Sequence, residues 1–282
     1  MKVISKIQEM QDYVLTMKKQ GNSIGLVPTM GYLHEGHLTL AKKARQENDL
    51  VVMSIFVNPL QFGPKEDLST YPRDLDRDLK LAENEKIDVI FHPSVEEMYP
   101  NPPAVLMHVG DRTDVLCGKS RPGHFDGVAL VVSKLFNIIQ PERAYFGRKD
   151  AQQVAVIDLI VATYNFPIEV VAVDTVREED GLAKSSRNVF LSDEERQQAP
   201  VLFQSLANAQ SLIEEGENNP DSIIKFISEE ITEKTNGKID YVEIYSYPEL
   251  KEIVELKGTI IIALAVKFPK ARLIDNIVIT NV

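Results

Sequence analysis

Hydrophobic and polar residues change their spacing several times along the first 173 residues. Residues 50–57 form a nearly continuous apolar run, which is typical of a strand buried on both faces of a parallel sheet. Residues 5–20 carry apolar positions at a spacing that predicts a helix. The two kinds of segment alternate from residue 24 to residue 173, which predicts an α/β fold with a doubly wound parallel sheet. The predicted strands are 24–27, 50–57, 88–91, 104–109, 143–146 and 168–173, and the predicted helices are 5–20, 38–48, 74–85, 125–139 and 151–164.

The pattern changes after residue 176. A charged loop at 177–188 precedes two helical segments, and three strand-like segments with short connections follow them. The helical segments are 193–215 and 220–234, and the strands are 241–247, 259–268 and 271–279. We therefore predict a domain boundary near residue 175, with a first domain at 1–175 and a smaller α+β domain containing an antiparallel sheet at 176–282.

The composition and the net charge of the chain reduce the number of functional classes that fit this protein. The chain has 282 residues, a net charge of −11 and a pI near 5.0. This charge argues against non-specific binding to nucleic acid or to a membrane surface. The single cysteine, Cys117, excludes an intramolecular disulfide and fits a reducing compartment. We see neither a signal-peptide pattern nor an apolar run of membrane-spanning length, so we predict a cytoplasmic protein.

The stretch that follows the first strand is the strongest candidate for chemistry. The predicted strand at 24–27 breaks at Pro28, and the chain turns through Gly31. His34 and His37 follow, just before the predicted helix, and their spacing places them on one face of a first helical turn. Free backbone N–H groups and the positive end of a helix dipole suit a phosphate, to which both histidines can donate hydrogen bonds.

The histidine pair has two other interpretations. A zinc protease needs histidines four residues apart in His-Glu-x-x-His, and here they are three apart. A helix start that carries two exposed histidines stays open.

Three further segments carry polar or basic side chains. Asn58 and Gln61 follow a predicted buried strand, and their amides can donate and accept, although composition alone favours loop stabilisation by turn chemistry. Gly147 to Gln153 also follows a strand, and Lys149 there can neutralise phosphate; capping by Asp150 with solvated basic residues is the alternative. Arg121 and His124 could contact an anion, or Asp126 could cap the helix that follows.

The loop at 184–188 places two hydroxyls between two cations, which forms a compact anion clamp. A flexible linker and a phosphorylation site are the alternatives. His92 and His108 have no neighbouring signature, and we interpret both as structural.

Several of these segments together resemble one family. His34–His37 resembles the His-x-Gly-His signature of the nucleotidyltransferase and class I aminoacyl-tRNA-synthetase-like superfamily. With the other segments, it resembles the pantoate–β-alanine ligase family across nearly the whole chain. The segments are Val27–Gly31, His34–His37, Phe56–Pro59, Gln61–Phe62, Tyr71–Arg73, Arg121–Val128 and Ser185–Asn188. Two departures add positive charge, because Lys184 replaces the usual methionine and Arg148 replaces the usual glutamate.

The resemblance implies a Rossmann-like first domain that binds ATP and pantoate, and a C-terminal domain that acts as a lid. It implies a homodimer that uses ATP and Mg²⁺ to join pantoate to β-alanine through pantoyl adenylate, releasing pyrophosphate and AMP. His37, His34 and Lys149 would be catalytic, with His37 as a proton donor. Gln61 and Gln153 would bind pantoate or β-alanine, and Asp78 would arrange Mg²⁺ unless it is an exposed helix acid. The implied ATP-binding residues are Met30, Gly31, Tyr32, Leu33, His34, Glu35, Gly36, His37, Gly147, Arg148, Lys149, Asp150, Val176, Lys184, Ser185, Ser186 and Arg187.

Other members of the superfamily fit less well. A phosphopantetheine- or nicotinate-type nucleotidyltransferase usually lacks both the antiparallel domain and the Asn58–Gln61 segment. An aminoacyl-tRNA synthetase needs a tRNA-binding domain, which the acidic charge opposes. A non-catalytic nucleotide sensor gives no reason for an acid pocket beside a pyrophosphate clamp.

Overall fold

The computed structural model describes residues 1–64 and 66–282. The strands within them are β1 (Lys2–Ile4), β2 (Ile24–Thr29), β3 (Leu50–Ile55), β4 (Val89–Phe91), β5 (Arg143–Gly147), β6 (Glu169–Val173), β7 (Lys238–Ser246), β8 (Ile260–Lys267) and β9 (Arg272–Ile279). The helices are α1 (Ile7–Lys19), α2 (Glu35–Glu47), α3 (Leu75–Asn84), α4 (Val95–Met98), α5 (Leu116–Ser120), α6 (His124–Ile139), α7 (Ala151–Tyr164), α8 (Asp193–Gln198), α9 (Val201–Glu214) and α10 (Pro220–Lys234).

The prediction of a parallel sheet is confirmed. Six strands pair in the order β1-β4-β3-β2-β5-β6, and every pair is parallel. Consecutive β3 residues such as Val51 and Val52 are fully buried, so both faces of the sheet are covered. Leu40 and Ala44 of α2 and Ala82 of α3 pack on one face. The order reverses between β2 and β5, which is the position where open α/β sheets bind ligands at the carboxyl ends of their strands.

Pro28 does not break the first predicted strand, because β2 continues to Thr29. The Thr29 carbonyl accepts a hydrogen bond from the Phe56 N–H, at 3.0 Å, so Thr29 faces β3. Pro28, one residue earlier, faces the opposite side, where pairing with β5 has already ended at Leu26. No ladder hydrogen bond is therefore lost to the missing N–H of the proline.

Four other element predictions need correction. The predicted strand at 104–109 is wrong, because Val105 and Leu106 are 77% and 80% exposed and the segment is irregular. The predicted helix at 193–215 is divided into α8 and α9, since Pro200 precedes the second helix. The short β1 was not predicted and pairs with β4. Helix α2 begins at Glu35, three residues before the predicted start.

The chain divides into two compact units. The first comprises residues 1–111, 121–148 and 156–174, and the second comprises residues 112–120, 149–155 and 175–282. In the second unit, β7, β8 and β9 form the predicted antiparallel sheet, which is confirmed. Its core contains side chains such as Leu206, Ile227 and Leu264. Within the described residues, no helix is long and apolar enough to cross a membrane.

Candidate active site

The loop between β2 and α2 is held in place by hydrogen bonds to its backbone. The Thr29 hydroxyl donates to the Ser54 carbonyl at 2.7 Å and accepts from the Gly31 N–H at 3.2 Å. Gly31 has a φ of +83°, and a Cβ there would lie 3.0 Å from an Asp78 oxygen. Glycine is therefore required both by the backbone conformation and by the close approach of Asp78.

Asp78 anchors this loop from α3. Its two oxygens accept from the Tyr32 and Leu33 N–H groups, each at 2.7 Å, and the side chain is 1% exposed. The interpretation of Asp78 as an exposed helix acid is therefore wrong. Burial raises the pKa of Asp78 above its ordinary value, although the two amide hydrogen bonds oppose that shift.

The two histidines cap α2 reciprocally. His34 is the N-cap residue, and its Nδ1 accepts from the Gly36 N–H at 3.1 Å. The Nδ1 of His37 accepts from the His34 N–H at 3.3 Å, and the two ring centroids lie 4.0 Å apart. Because both Nδ1 atoms accept hydrogen bonds, each neutral ring carries its hydrogen on Nε2. The pair therefore presents two Nε2–H donors at the N-terminus of α2. The interpretation as a helix start with two merely exposed histidines does not account for these hydrogen bonds.

Gly36 makes this close approach of the two tilted rings possible. A Cβ at Gly36 would lie 2.9 Å from Cε1 and 3.0 Å from Nδ1 of His34. Real Cβ contacts are longer, so any larger residue would displace the His34 ring. The His-x-Gly-His spacing thus has a local steric reason.

Gln61 lies beside this loop, at the carboxyl end of β3. It ends a 3-10 turn (Pro59–Gln61) that Asn58 caps by accepting from the Leu60 N–H at 3.3 Å. The Gln61 Nε2 donates to the Met30 sulfur at 3.2 Å, and its Oε1 accepts from the Asn58 Nδ2 at 3.3 Å. Asn58 is 1% exposed, so the turn-chemistry interpretation holds for Asn58, while Gln61 is only partly buried.

Helix α6 sets the position of the same turn. A Cβ at Gly127 would lie 2.7 Å from the Gln61 Cα and closer still to the Leu60 carbonyl. His124 Nδ1 lies 2.8 Å from the Gln61 carbonyl, and Arg121 Nε donates to Glu66 Oε1 at 2.9 Å. Arg121 and His124 therefore support this loop.

Asp126 does not cap α6, as one interpretation proposed. The N-cap position is Gly123, and Asp126 Oδ1 accepts from the Val109 N–H at 2.9 Å. Asp126 therefore holds the preceding segment against the helix.

The Gly147–Gln153 segment is divided between the two units. In the first unit, Arg148 Nε lies 3.5 Å from Asp174 Oδ1. In the second unit, the Lys149 side chain is 20% exposed and its Nζ lies 3.8 Å from Asp150 Oδ2, so Lys149 is not a fully solvated cation. The Lys149 carbonyl accepts from Asn276 Nδ2 at 2.8 Å, which fixes the backbone at this position. Gln153 is partly buried in the first turn of α7.

The loop at 176–190 is also held by defined bonds within the second unit. The Lys184 N–H donates to the Val176 carbonyl at 2.9 Å, and Lys184 Nζ lies 3.0 Å from Glu178 Oε2. Ser185 caps a 3-10 turn (Ser186–Phe190), and its hydroxyl accepts from the Arg187 N–H at 3.3 Å. The linker interpretation is therefore wrong for this segment.

The structure thus brings Met30, His34, His37 and Gln61 to the carboxyl ends of β2 and β3, with Asp78 beneath the loop. Sequence patterns did not identify the anchoring role of Asp78 or the contacts of Asn58, because their partners lie far away in sequence. Among the side chains that the structure describes, no group of three or more His, Cys, Asp or Glu residues could hold a metal ion.

Comparisons with known proteins find relatives along nearly the whole chain. The protein-family model described as pantoate-beta-alanine ligase matches residues 2–278 of this chain. The pantothenate synthetase of Geobacillus sp. (strain WCH70) is 61% identical over 275 residues, covering 98% of this chain and 98% of that protein. The solved pantothenate synthetase of Thermus thermophilus is 45% identical with a TM-score of 0.93, covering 98% of this chain and 99% of that one. The pantoate-beta-alanine ligase of Francisella tularensis, solved in complex with β-γ ATP and β-alanine, is 34% identical with a TM-score of 0.80, covering 98% of this chain and 97% of that one.

Proposed function

This chain belongs to the pantoate–β-alanine ligase family, and on that premise we propose how its residues condense pantoate with β-alanine. The chain is an ATP-dependent ligase of pantothenate biosynthesis. The Francisella tularensis relative binds β-γ ATP and β-alanine, which supports these two molecules as substrates here.

The proposed reaction has two steps. A pantoate carboxylate oxygen attacks the α-phosphorus of ATP, the bond to the β-phosphate breaks, and pyrophosphate leaves. The β-alanine amine then attacks the acyl carbon of pantoyl adenylate, loses a proton and displaces AMP. Adenylation is needed because a free carboxylate has no adequate leaving group, whereas AMP is a good one.

The observation that carries this proposal is the reciprocal capping by His34 and His37. Each Nδ1 accepts a hydrogen bond from a backbone N–H, so each neutral ring carries its hydrogen on Nε2. This Nε2–H can donate to phosphate oxygens. Donors fixed before the reaction stabilise charge that develops on the phosphorus without any reorganisation. The N-terminal dipole of α2 adds to the same effect. The resemblance also implies that His37 is a proton donor, a role that requires its imidazolium form, because a neutral imidazole does not release its Nε2 proton near neutral pH.

Gln61 is proposed to bind pantoate. It lies in contact with Met30 on the loop that leads to the histidines. A neutral amide suits this task, because a cation would pair with the carboxylate and reduce its nucleophilicity.

Further residues with a proposed binding role lie in the second unit. Lys149 is proposed to bind phosphate and pantoate, and Gln153, one helical turn later, to bind pantoate or β-alanine. Ser185, Ser186 and Arg187 are proposed to bind the pyrophosphate portion of ATP. Lys184 forms an ion pair with Glu178, so the positive charge of Lys184 is accompanied by the negative charge of the Glu178 carboxylate.

Mg²⁺ is proposed only as the counterion that accompanies ATP. Asp78 does not fit a direct Mg²⁺ ligand, because both of its oxygens accept backbone N–H groups in a buried position. A homodimer is also proposed from the resemblance, and analytical ultracentrifugation would measure its mass.

The experiment that tests the function is pantoate-dependent exchange of labelled pyrophosphate into ATP, with Mg²⁺ and without β-alanine. Exchange is expected, because adenylate formation is reversible and needs no second substrate. Failure of exchange with ATP still bound would overturn the pantoyl-adenylate step and would favour nucleotidyl transfer to a phosphorylated acceptor.

A substitution at Gly36 tests the histidine geometry. Gly36→Ala is expected to lower the exchange rate about tenfold or more, because displacing the His34 ring removes a fixed donor. Gly110→Ala is the matched control, since a Cβ at Gly110 would meet nothing within 4 Å. Equal rates in the two variants would contradict the steric role of Gly36.

A further inference from the structure

A chain of hydrogen bonds leads from Tyr99 to the proposed pantoate-binding Gln61. The Tyr99 hydroxyl lies 3.0 Å from Asn58 Oδ1, to which it donates. Asn58 Nδ2 donates to Gln61 Oε1 at 3.3 Å, and Gln61 Nε2 donates to the Met30 sulfur at 3.2 Å. These residues all lie in the first unit.

The direction of this chain is determined by backbone groups at Asn58. The Leu60 N–H can only donate, and it faces Asn58 Oδ1 at 3.3 Å. The Gly127 carbonyl can only accept, and it faces Asn58 Nδ2 at 3.0 Å. The amide of Asn58 is therefore oriented with its NH₂ group toward Gln61. Tyr99 adds a second donor to Asn58 Oδ1 and strengthens this orientation.

The orientation of Asn58 in turn orients Gln61. Since Asn58 presents a donor, Gln61 turns its oxygen toward Asn58 and its nitrogen away. The nitrogen carries two hydrogens, and the Met30 sulfur is a weak acceptor that takes at most one of them. Gln61 thus presents an N–H donor to a bound ligand. It therefore recognises a ligand group that accepts hydrogen bonds.

We propose that Tyr99 is a positioning residue that, through Asn58, fixes Gln61 as a hydrogen-bond donor and thereby selects a substrate with an acceptor group at this point. The inference rests on the proposed function, in which the acceptor is an oxygen of pantoate.

The surroundings of Tyr99 suit this role. Its ring packs against Phe56, with centroids 6.1 Å apart, and lies 5.6 Å from Lys134 Nζ. Burial raises the pKa of the Tyr99 phenol well above its ordinary value, so the hydroxyl keeps its hydrogen across the physiological range. Phenylalanine can keep the ring contacts while removing only the donor.

Tyr99→Phe is expected to raise the KM for pantoate in the exchange reaction roughly three- to tenfold, which corresponds to one weakened hydrogen bond. The kcat and the KM for ATP are expected to stay within about twofold of the wild-type values. Tyr13→Phe, on α1, is the matched control and should leave all three parameters unchanged.

A double-mutant cycle separates positioning from a general structural effect. In a Gln61→Ala background, Tyr99→Phe is expected to cause no further rise in the pantoate KM, because the residue through which Tyr99 acts is absent. An unchanged KM in Tyr99→Phe alone, or an equal rise in both backgrounds, would overturn the inference while leaving the proposed function intact. Absence of pantoate-dependent exchange in the wild type would overturn both.

A second variant covers the case in which Tyr99→Phe fails to fold. Asn58→Asp keeps the size of the side chain and, at a pH at which the new carboxyl is ionised, presents only acceptors, so Gln61 must turn its nitrogen toward Asp and its oxygen toward the ligand. The pantoate KM is expected to rise at least as much as in Tyr99→Phe. A folded Asn58→Asp variant with an unchanged pantoate KM would contradict the donor role of Gln61.

Discussion

Replacing His37 with alanine is expected to lower pantoate-dependent pyrophosphate exchange by about 10²- to 10³-fold, because a preorganised donor to the phosphate is lost. The His37 Nδ1 also accepts from the His34 N–H, so part of the α2 cap is lost as well. Loss of a cap costs about 1 kcal/mol of stability, which is small beside the expected loss of rate. The measurements are the exchange rate and the free energy of unfolding in urea.

Two further variants separate the two contributions of His37. Glutamine is a favoured third residue of a capping box, so His37→Gln is expected to keep most of the stability while the exchange rate stays low. His108→Ala is the control, since the His108 side chain is 81% exposed. Exchange at the wild-type rate in a folded His37→Ala protein would exclude a catalytic part for this histidine.

Replacing Asp78 with alanine is expected to lower the free energy of unfolding by about 2–4 kcal/mol. The reason is that the partly buried Tyr32 N–H and the buried Leu33 N–H both lose their acceptor. The cost of burying the carboxylate, visible in its raised pKa, offsets part of this loss. We also expect slower exchange, because Leu33 directly precedes His34 in the chain. Urea denaturation with an unchanged slope would establish the change in stability.

Asp76→Ala is the matched control for Asp78→Ala. Asp76 lies on the same helix, α3, and is exposed. Its replacement should change stability by less than about 0.5 kcal/mol. If the two variants were equally stable, the two amide hydrogen bonds would not anchor the loop.

Sequence patterns predicted those parts of the fold that depend on local spacing. The run at 50–57 and the alternation of strands with helices gave the parallel sheet, and the spacing of His34 and His37 placed them at the start of α2. The strand predicted at 104–109 failed, because apolar side chains alone do not ensure a neighbouring strand. Val105 and Leu106 stay exposed despite their strand-like composition.

The site was predicted less completely than the fold. A histidine whose Nδ1 caps a helix is not distinguishable by composition from one that is simply exposed. Asp78 reaches Tyr32 across 46 positions of sequence, and Tyr99 reaches Asn58 across 41. Contacts at that separation depend on how α3 and the segment after α4 pack in the folded chain. The spacing of residues within a short stretch of sequence does not predict such packing.

The position of β1 has a practical consequence for handling the protein. Lys2–Ile4 pairs in parallel with β4 at one side of the six-stranded sheet. Because all these strands point the same way, Lys2 lies at the edge opposite to the carboxyl ends of β2 and β3. A tether or affinity label joined ahead of Lys2 should therefore leave the edge that carries Met30, His34 and Gln61 unobstructed on a sensor surface. The amino terminus is accordingly the attachment point of choice for binding measurements on an immobilised sample.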